Sequence, residues 1–316
     1  MKISELFSNK KYVLTSEVGP VKGCVRDLGD GRVPQFLQEA DLLRNHVHAI
    51  NITDNQSAVM RLGSLAASVK LKHSGIEPIY QITCRDRNRI ALQSELLNAC
   101  SLGIDNVLVL TGDHTTLGDH RSAKPVFDLD SVQLLKIATQ MKNGYDMMGH
   151  ELTQATDFAL GAVVNPNFQP LDLQIMKMAK KIEAGAQFFQ TQTVYDPALF
   201  ERFIKRTEGF GVPIQLGIVL IKSAKMAQFM NRNIAGITVP DSWVKRLESP
   251  QQEGAKDLCV EMTSELLKEV APMCQGVHFM PLGWSDIVPR IIKASFNGNS
   301  PQILPNDTSL QIEAPD

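Results

Sequence analysis

Short runs of apolar and β-branched residues alternate along this chain with longer runs whose apolar positions recur at helical spacing. The short runs fall at Tyr12–Val18, Val47–Ile52, Pro78–Cys84, Asn106–Thr111, Phe158–Val164, Ala186–Gln192, Pro213–Val219 and Gly276–Met280. Most are almost continuously apolar, the pattern of strands covered on both faces. The longer runs predict helices over Pro34–Asn45, Ala58–His73, Arg89–Leu102, Ser131–Lys142, Leu171–Ala184, Pro197–Arg206 and Ser223–Asn231. In HSGIEP, CSLGID and IEAGAQ, the glycines Gly75, Gly103 and Gly185 sit just past the last turn of a helix, and a strand follows. Asp196 and Pro197 supply an N-cap and a first-turn proline. Eight strands in strict alternation with helices predict an α/β chain folded as a closed parallel (β/α)8 TIM barrel. No GxGxxG follows the first strand, so the usual dinucleotide fingerprint is missing.

The pattern reads as one domain over residues 1–296, with additions to the minimal barrel. Extra helical stretches, Asp241–Leu247 and Gly254–Val270, precede the eighth strand. Residues 144–157 (GYDMMGHELTQATD) join a helix to the next strand, which predicts a place on the face opposite the strands' carboxyl ends. The Gly-rich segment Val21–Pro34 is too long for a simple connector, and long loops at the top of a barrel are often functional. Residues 297–316 are polar and Pro-rich without periodicity and are expected to form a flexible tail.

Composition narrows the classes of partner. Of 316 residues, 43% are hydrophobic and 21% charged, with a formal net charge of -2, so no cationic surplus favours nucleic acid. No stretch approaches the roughly 20 apolar residues of a membrane span, and MKISELFSNKKY lacks a signal-peptide core. Five scattered cysteines without CxxC encode neither a zinc knuckle nor an iron–sulfur site, and predict reduced thiols in the cytoplasm. The two Asp-His pairs of GDHTTLGDH fit no standard helical metal motif, so no metal site is expected. His46 and His48, at the start of the second strand, read as structural, and the Met-rich stretch Ile175–Met178 as core.

In a barrel of this kind, residues at the carboxyl ends of different strands converge on one pocket. Those ends carry Glu17, Thr53-Asp54-Asn55, Thr83 with Arg85, Gly112-Asp113-His114, Asn165, Gln190, Gln192, Lys222, and His278 or Gly283. Glu17 and Asp113 on separate strands, with amides and little positive charge around them, suit a polar heterocycle that is bound by hydrogen bonds and protonated. Glu17 ends the apolar strand YVLTSEV, where desolvation would disfavour its charged form and suit a proton donor. A structural carboxylate capping backbone amides is the alternative reading of Glu17, and an ordinary turn residue that of Asp113.

Taken in order, TSEVGP, INITDN, QITCRDRNR, LVLTGDH, GAVVNP, KKIEAGAQFFQTQTVYD and PIQLGIVLIKSAK resemble the methylenetetrahydrofolate reductase family from about Tyr12 to Ser295. That resemblance implies a flavin barrel that holds FAD without a dinucleotide fold. It implies that Glu17 is the acid opening methylenetetrahydrofolate to an iminium, that Asp113 lies between flavin and pterin, and that Gln192 contacts the folate. Thr83, Gly112, Phe127, Asp128 and Lys181 match positions lining the FAD, with Asp113, His114, Val164 and Asn165 beside them. Lys181 would pair with the pyrophosphate. Thr193 and Ala224 stand where relatives carry aromatics that pack the nicotinamide and the folate, which argues against NADH or NADPH as direct donor. Asn165-Pro166 replaces a Tyr-Pro step. The GDHTTLGDH loop and the MMGHEL insertion resemble the branch of anaerobic acetogens, implying an oligomer with an electron-donating iron–sulfur or metal-containing subunit. Two other readings stay open: an accessory barrel that binds a pterin or a partner, and a folate- or corrinoid-linked methyltransferase barrel without flavin.

Overall fold

A computed structural model describes residues 1–9, 11–26, 33–248, 254–296, 301 and 303. Eight parallel strands close into a barrel in sequence order. They are β1 (Val13–Val18), β2 (Ala49–Ile52), β3 (Pro78–Thr83), β4 (Asn106–Leu110), β5 (Ala159–Val164), β6 (Phe188–Thr193), β7 (Ile214–Val219) and β8 (Gly276–Met280). The helices are α1 (Ile3–Ser8), α2 (Gln35–Leu43), α3 (Ser64–His73), α4 (Arg89–Ser101), α5 (Ser131–Lys142) and α6 (Leu171–Glu183). They continue with α7 (Pro197–Thr207), α8 (Ala224–Asn233), α9 (Asp241–Glu248), α10 (Ala255–Val270) and α11 (Val288–Ser295). The TIM barrel expected from the alternation is the fold observed. The flexible tail expected over residues 297–316 falls, apart from residues 301 and 303, outside the described residues, as do residues 27–32 of the first long loop.

Strand alternation sends every second side chain inward. The outward set packs under the helices in one large core that includes Leu14, Ile50, Tyr80, Val107 and Phe279. A separate small core closes the barrel floor. Val13, Ala49, Ile79, Leu108 and Phe188 meet Ile3, Leu6 and Phe7 of α1 there. Gly161 makes room for Phe188: a Cβ at 161 would lie 2.3 Å from its ring. The floor is thus a plug of side chains that closes the barrel interior from below.

Two helices, α1 and α11, add to those read from the sequence. Both carry the signal, with Ile3, Leu6 and Phe7 buried in α1 and Val288, Ile291, Ile292 and Ser295 in α11. Each is short, and a proline in the first turn of α11 masks it. The third helix starts at Ser64 instead of Ala58. Asn55, Ser57 and Ala58 have φ of 46°, 56° and 57°, in the left-handed region. Gly118 packs so tightly on this turn that a Cβ there would lie 1.8 Å from the Ala58 carbonyl oxygen. The 144–157 segment leaves α5 at the bottom, yet it lies against α4, where Met147 N donates to Gln93 Oε1 at 2.8 Å.

Candidate functional site

The upper barrel opens into a cavity of about 520 Å³, within the usual range for a small-molecule site. Glu17, Thr83, Gly112, Asp113, Val164, Asn165, Lys181 and Gln192 all line it, so eight side chains or glycines chosen from sequence meet at one place. His114, Phe127 and Asp128 do not line it. His114 caps the short turn Thr115–Leu117 through its own side chain and stacks on Phe127 with ring centroids 6.2 Å apart. Asp128 is engaged by Arg89, which donates from Nε at 2.8 Å and Nη2 at 2.7 Å. These contacts, with the Arg89 backbone N–H, hold the Asp128 carboxyl at about 2. Lys222 is likewise absent from the walls, lying 5.3 Å over the Trp284 ring.

Glu17 follows Val13 and Thr15 on the inward face of β1 and is 8% exposed. Its surroundings are more polar than the apolar mouth expected. Gln56 Nε2 donates to Glu17 Oε1 at 3.4 Å, and His278 Nε2 lies 3.7 Å from Oε2. The reason lies in neighbouring strands, whose inward positions at this level are amides and hydroxyls. Asn51, Gln190 and Gln215 interlock below, with Asn51 Nδ2 donating to Gln190 Oε1 at 2.8 Å. Gln190, placed at the strand end by sequence, belongs to this layer and only floors the cavity.

One wall is fixed by buried charge. Asp54 accepts from Thr83 N and Thr83 Oγ1, both at 2.9 Å, and from Arg87 Nη1 at 2.8 Å. The Thr83 hydroxyl proton is therefore committed to Asp54 and offers a ligand only lone pairs. Arg85, 2% exposed, pairs with Asp86 and donates to the carbonyl of Asp113 at 3.3 Å, holding the turn that carries Asp113. Gly112 permits that turn: its φ is +93°, and a Cβ would lie 3.0 Å from Thr83 Cβ.

The opposite wall is basic. Lys181 on α6 is 5% exposed and donates to the Val163 carbonyl at 2.6 Å. Among the described residues no carboxylate lies within ion-pair distance of it. Burial, then the charge of Lys177, brings its ammonium down to about 8, against a weaker opposing pull from Asp130. Lys177 and Gln174 share this wall. Sequence reasoning missed both, although they precede Lys181 by four and seven residues and so fall on its helix face. It missed Phe168 as well, the one phenyl ring among the described lining residues. Asn165 and Asn167 brace that loop by donating to the Gly236 carbonyl at 3.0 and 3.1 Å.

Among the described residues, no three His, Cys, Asp or Glu side chains group as a metal site would, and no helix is long and apolar enough to cross a membrane. The arrangement offers a carboxyl group for proton transfer, amides for a polar heterocycle and a buried cation for an anion.

A family model described as methylenetetrahydrofolate reductase matches residues 2–295. The chain is similar to methylenetetrahydrofolate reductase 2 of Schizosaccharomyces pombe, with 26% identity over 247 residues, covering 71% of this chain and 36% of that protein. It is also similar to 5,10-methylenetetrahydrofolate reductase of Salmonella typhimurium, with 20% identity over 258 residues, covering 77% of this chain and 79% of that one. This chain thus spans well under half the length of some curated relatives it matches, 36% for the S. pombe protein and 40% for one from Caenorhabditis elegans. Among solved structures it resembles an uncharacterized protein from Clostridium thermocellum that binds two copies of 5-methyl-5,6,7,8-tetrahydrofolic acid. The TM-score is 0.62 at 15% identity, covering 93% of this chain and 98% of the other, a likeness of fold.

Proposed function

This chain belongs to the methylenetetrahydrofolate reductase family, and from that premise we propose that it reduces 5,10-methylenetetrahydrofolate to 5-methyltetrahydrofolate, using FAD. The observation that carries this reading is the meeting of Glu17, Asp113 and Gln192 on one cavity with a buried, carboxylate-free lysine on its far wall.

The cavity's own chemistry supports FAD. A nearly enclosed ammonium that lacks a carboxylate is complementary to a pyrophosphate, and Lys181 with Lys177 would hold it. Gly112, with no room for a side chain beside Thr83, lets a flat ring approach the backbone. Asp113 and Asn165 would contact the flavin from opposite walls. When bound, FAD supplies the hydride that turns the one-carbon unit into a methyl group.

The protein's part is to make that carbon electrophilic. Methylenetetrahydrofolate is a neutral aminal and accepts hydride poorly until a ring nitrogen is protonated and the five-membered ring opens to an iminium. Glu17 gives that proton from its carboxyl group, which Gln56 steadies by donating to Oε1. Gln192 binds the pterin amide pattern, its own carbonyl oxygen being held by Thr193 N at 3.0 Å so that its amino group is free to donate. Asp113, anchored through its backbone by Arg85, fixes the pterin's other edge.

The donor of electrons is inferred to be a partner protein with an iron–sulfur or metal centre. In support, Thr193 and Ala224 carry no ring, and among the described lining residues Phe168 is the one phenyl wall, a weak platform for a nicotinamide.

Glu17→Gln tests the acid. The variant should keep its flavin and accept electrons at the wild-type rate, while folate reduction falls by at least about 100-fold, in the range expected for loss of a general acid. Folate reduction at the wild-type rate would remove Glu17 from this role.

A further inference from the structure

Beneath Glu17 lies a buried polar layer that the mechanism has not yet used. β1 and β8 pair with Thr15 opposite His278, which brings Thr15 Oγ1 within 3.0 Å of His278 Nδ1. His278 is 3% exposed, and its other nitrogen, Nε2, lies 3.7 Å from Glu17 Oε2. Which nitrogen carries the proton decides whether this ring supports or opposes a carboxylate above it.

The surrounding amides fix the answer. Gln215 Nε2 faces two backbone carbonyl oxygens, of Val13 at 3.0 Å and of Val277 at 3.4 Å. Carbonyls only accept, so this atom is nitrogen and Gln215 Oε1 is the acceptor. Gln190 Nε2 donates to that oxygen at 3.1 Å, while Gln190 Oε1 accepts from Asn51 Nδ2 at 2.8 Å, so Gln190 is fixed as well. Both amide nitrogens then point at Thr15 Oγ1, at 3.2 Å from Gln215 and 3.3 Å from Gln190. Neither can accept a proton. The Thr15 hydroxyl must therefore donate to His278 Nδ1, which leaves the imidazole proton on Nε2, facing Glu17.

We infer that His278 is a positioning residue for Glu17, held as the neutral Nε2–H tautomer by Thr15 and the Gln190–Gln215 pair. The inference rests on the proposed role of Glu17 as acid. As Glu17 releases its proton, negative charge develops on the carboxylate, and an N–H held at Nε2, 3.7 Å from Oε2, favours that charge electrostatically and is poised to close onto it. His278 also borders the cavity, and in this scheme it acts through Glu17.

Two measurements on the full-length flavoprotein test this. The first is long-range ¹H–¹⁵N NMR with ¹⁵N-labelled histidine, in which His278→Asn identifies the signal. The expected spectrum at neutral pH has the proton on Nε2 and a bare Nδ1, and Thr15→Val shifts the ring to a mixture of tautomers. A proton on Nδ1, or a doubly protonated ring, overturns the inference, and this readout needs no folate turnover. The second is steady-state reduction of methylenetetrahydrofolate with reduced viologen as the electron donor. His278→Gln places an amide N–H near the former Nε2 and should stay within about threefold of wild type in kcat. His278→Asn, which keeps an acceptor for Thr15 but offers Glu17 no donor, should lose about 10- to 100-fold in kcat with KM little changed. Equal losses in both variants, or a loss confined to KM, overturn the positioning role. A wild-type protein that binds flavin and shows the Nε2–H tautomer yet never oxidises with the folate would sink the proposed function, and the role of His278 with it.

Discussion

Replacing Lys181 by methionine should strengthen the ligand-free protein and weaken its hold on FAD in a single step. Burial, helped by Lys177, lowers the ammonium from its ordinary 10.5 to about 8. At 1.36 kcal/mol per unit, that drop represents about 3 kcal/mol of unfavourable burial of the charge. The folded value lies below the unfolded one, so the cost is fully present below pH 8. It fades as pH rises from about 8 to 10.5, where the folded protein releases the proton first. Methionine keeps the apolar stem but abandons the bond to the Val163 carbonyl, at a cost of about 1–2 kcal/mol. The balance is a gain of roughly 1–2 kcal/mol at pH 7 that vanishes or reverses above pH 10. FAD affinity should fall about 10- to 100-fold with the loss of one charge-assisted contact. Wild-type affinity should also weaken with pH above about 8, because FAD binding then takes up a proton, and the variant should lack that slope. Urea unfolding at pH 7 and pH 10, with FAD titrations from pH 6.5 to 9.5, measures all of these. A variant less stable than wild type at pH 7 and binding FAD equally well would refute the reasoning.

Two further substitutions probe the frame around the site. Gly112→Ala puts a Cβ 3.0 Å from Thr83 and 3.2 Å from Arg85 at a φ of +93°; it should cost about 1–3 kcal/mol in thermal unfolding and lower the flavin content of the purified protein, and unchanged values in both would show that the turn has room to spare. Ile3→Ala in the barrel plug removes a fully buried side chain and should cost about 2–5 kcal/mol in urea unfolding with FAD affinity retained, whereas a cost below about 0.5 kcal/mol would show that α1 does not seal the floor.

The fold was legible because short, mostly apolar strands alternate with longer runs of helical spacing. Gly75, Gly103 and Gly185 marked where one ended and the next began, and all three have positive φ. Helices α1 and α11 escaped because each is short and lies at the edge of the alternation. The site was legible to the extent that strand ends converge, which brought Glu17, Asp113 and Gln192 together, whereas Lys181, on α6, was marked by the family resemblance. It was not legible where a loop turns aside. His114 follows the fourth strand closely, but its cap turns its ring onto Phe127; Phe127 and Asp128 lie well past that strand, just before α5, and Arg89 takes up Asp128. The tautomer of His278 depends on Gln190 and Gln215, which come from different strands and meet only once the barrel closes.

The central claim is that a carboxyl group on β1 protonates a folate beside a flavin. Its most direct test is to purify the protein, reduce it without oxygen until its visible absorption bleaches, and add methylenetetrahydrofolate. The account predicts a yellow protein whose colour returns in step with 5-methyltetrahydrofolate formation. A colourless protein that FAD cannot restore, or one that stays bleached with excess folate present, would contradict it.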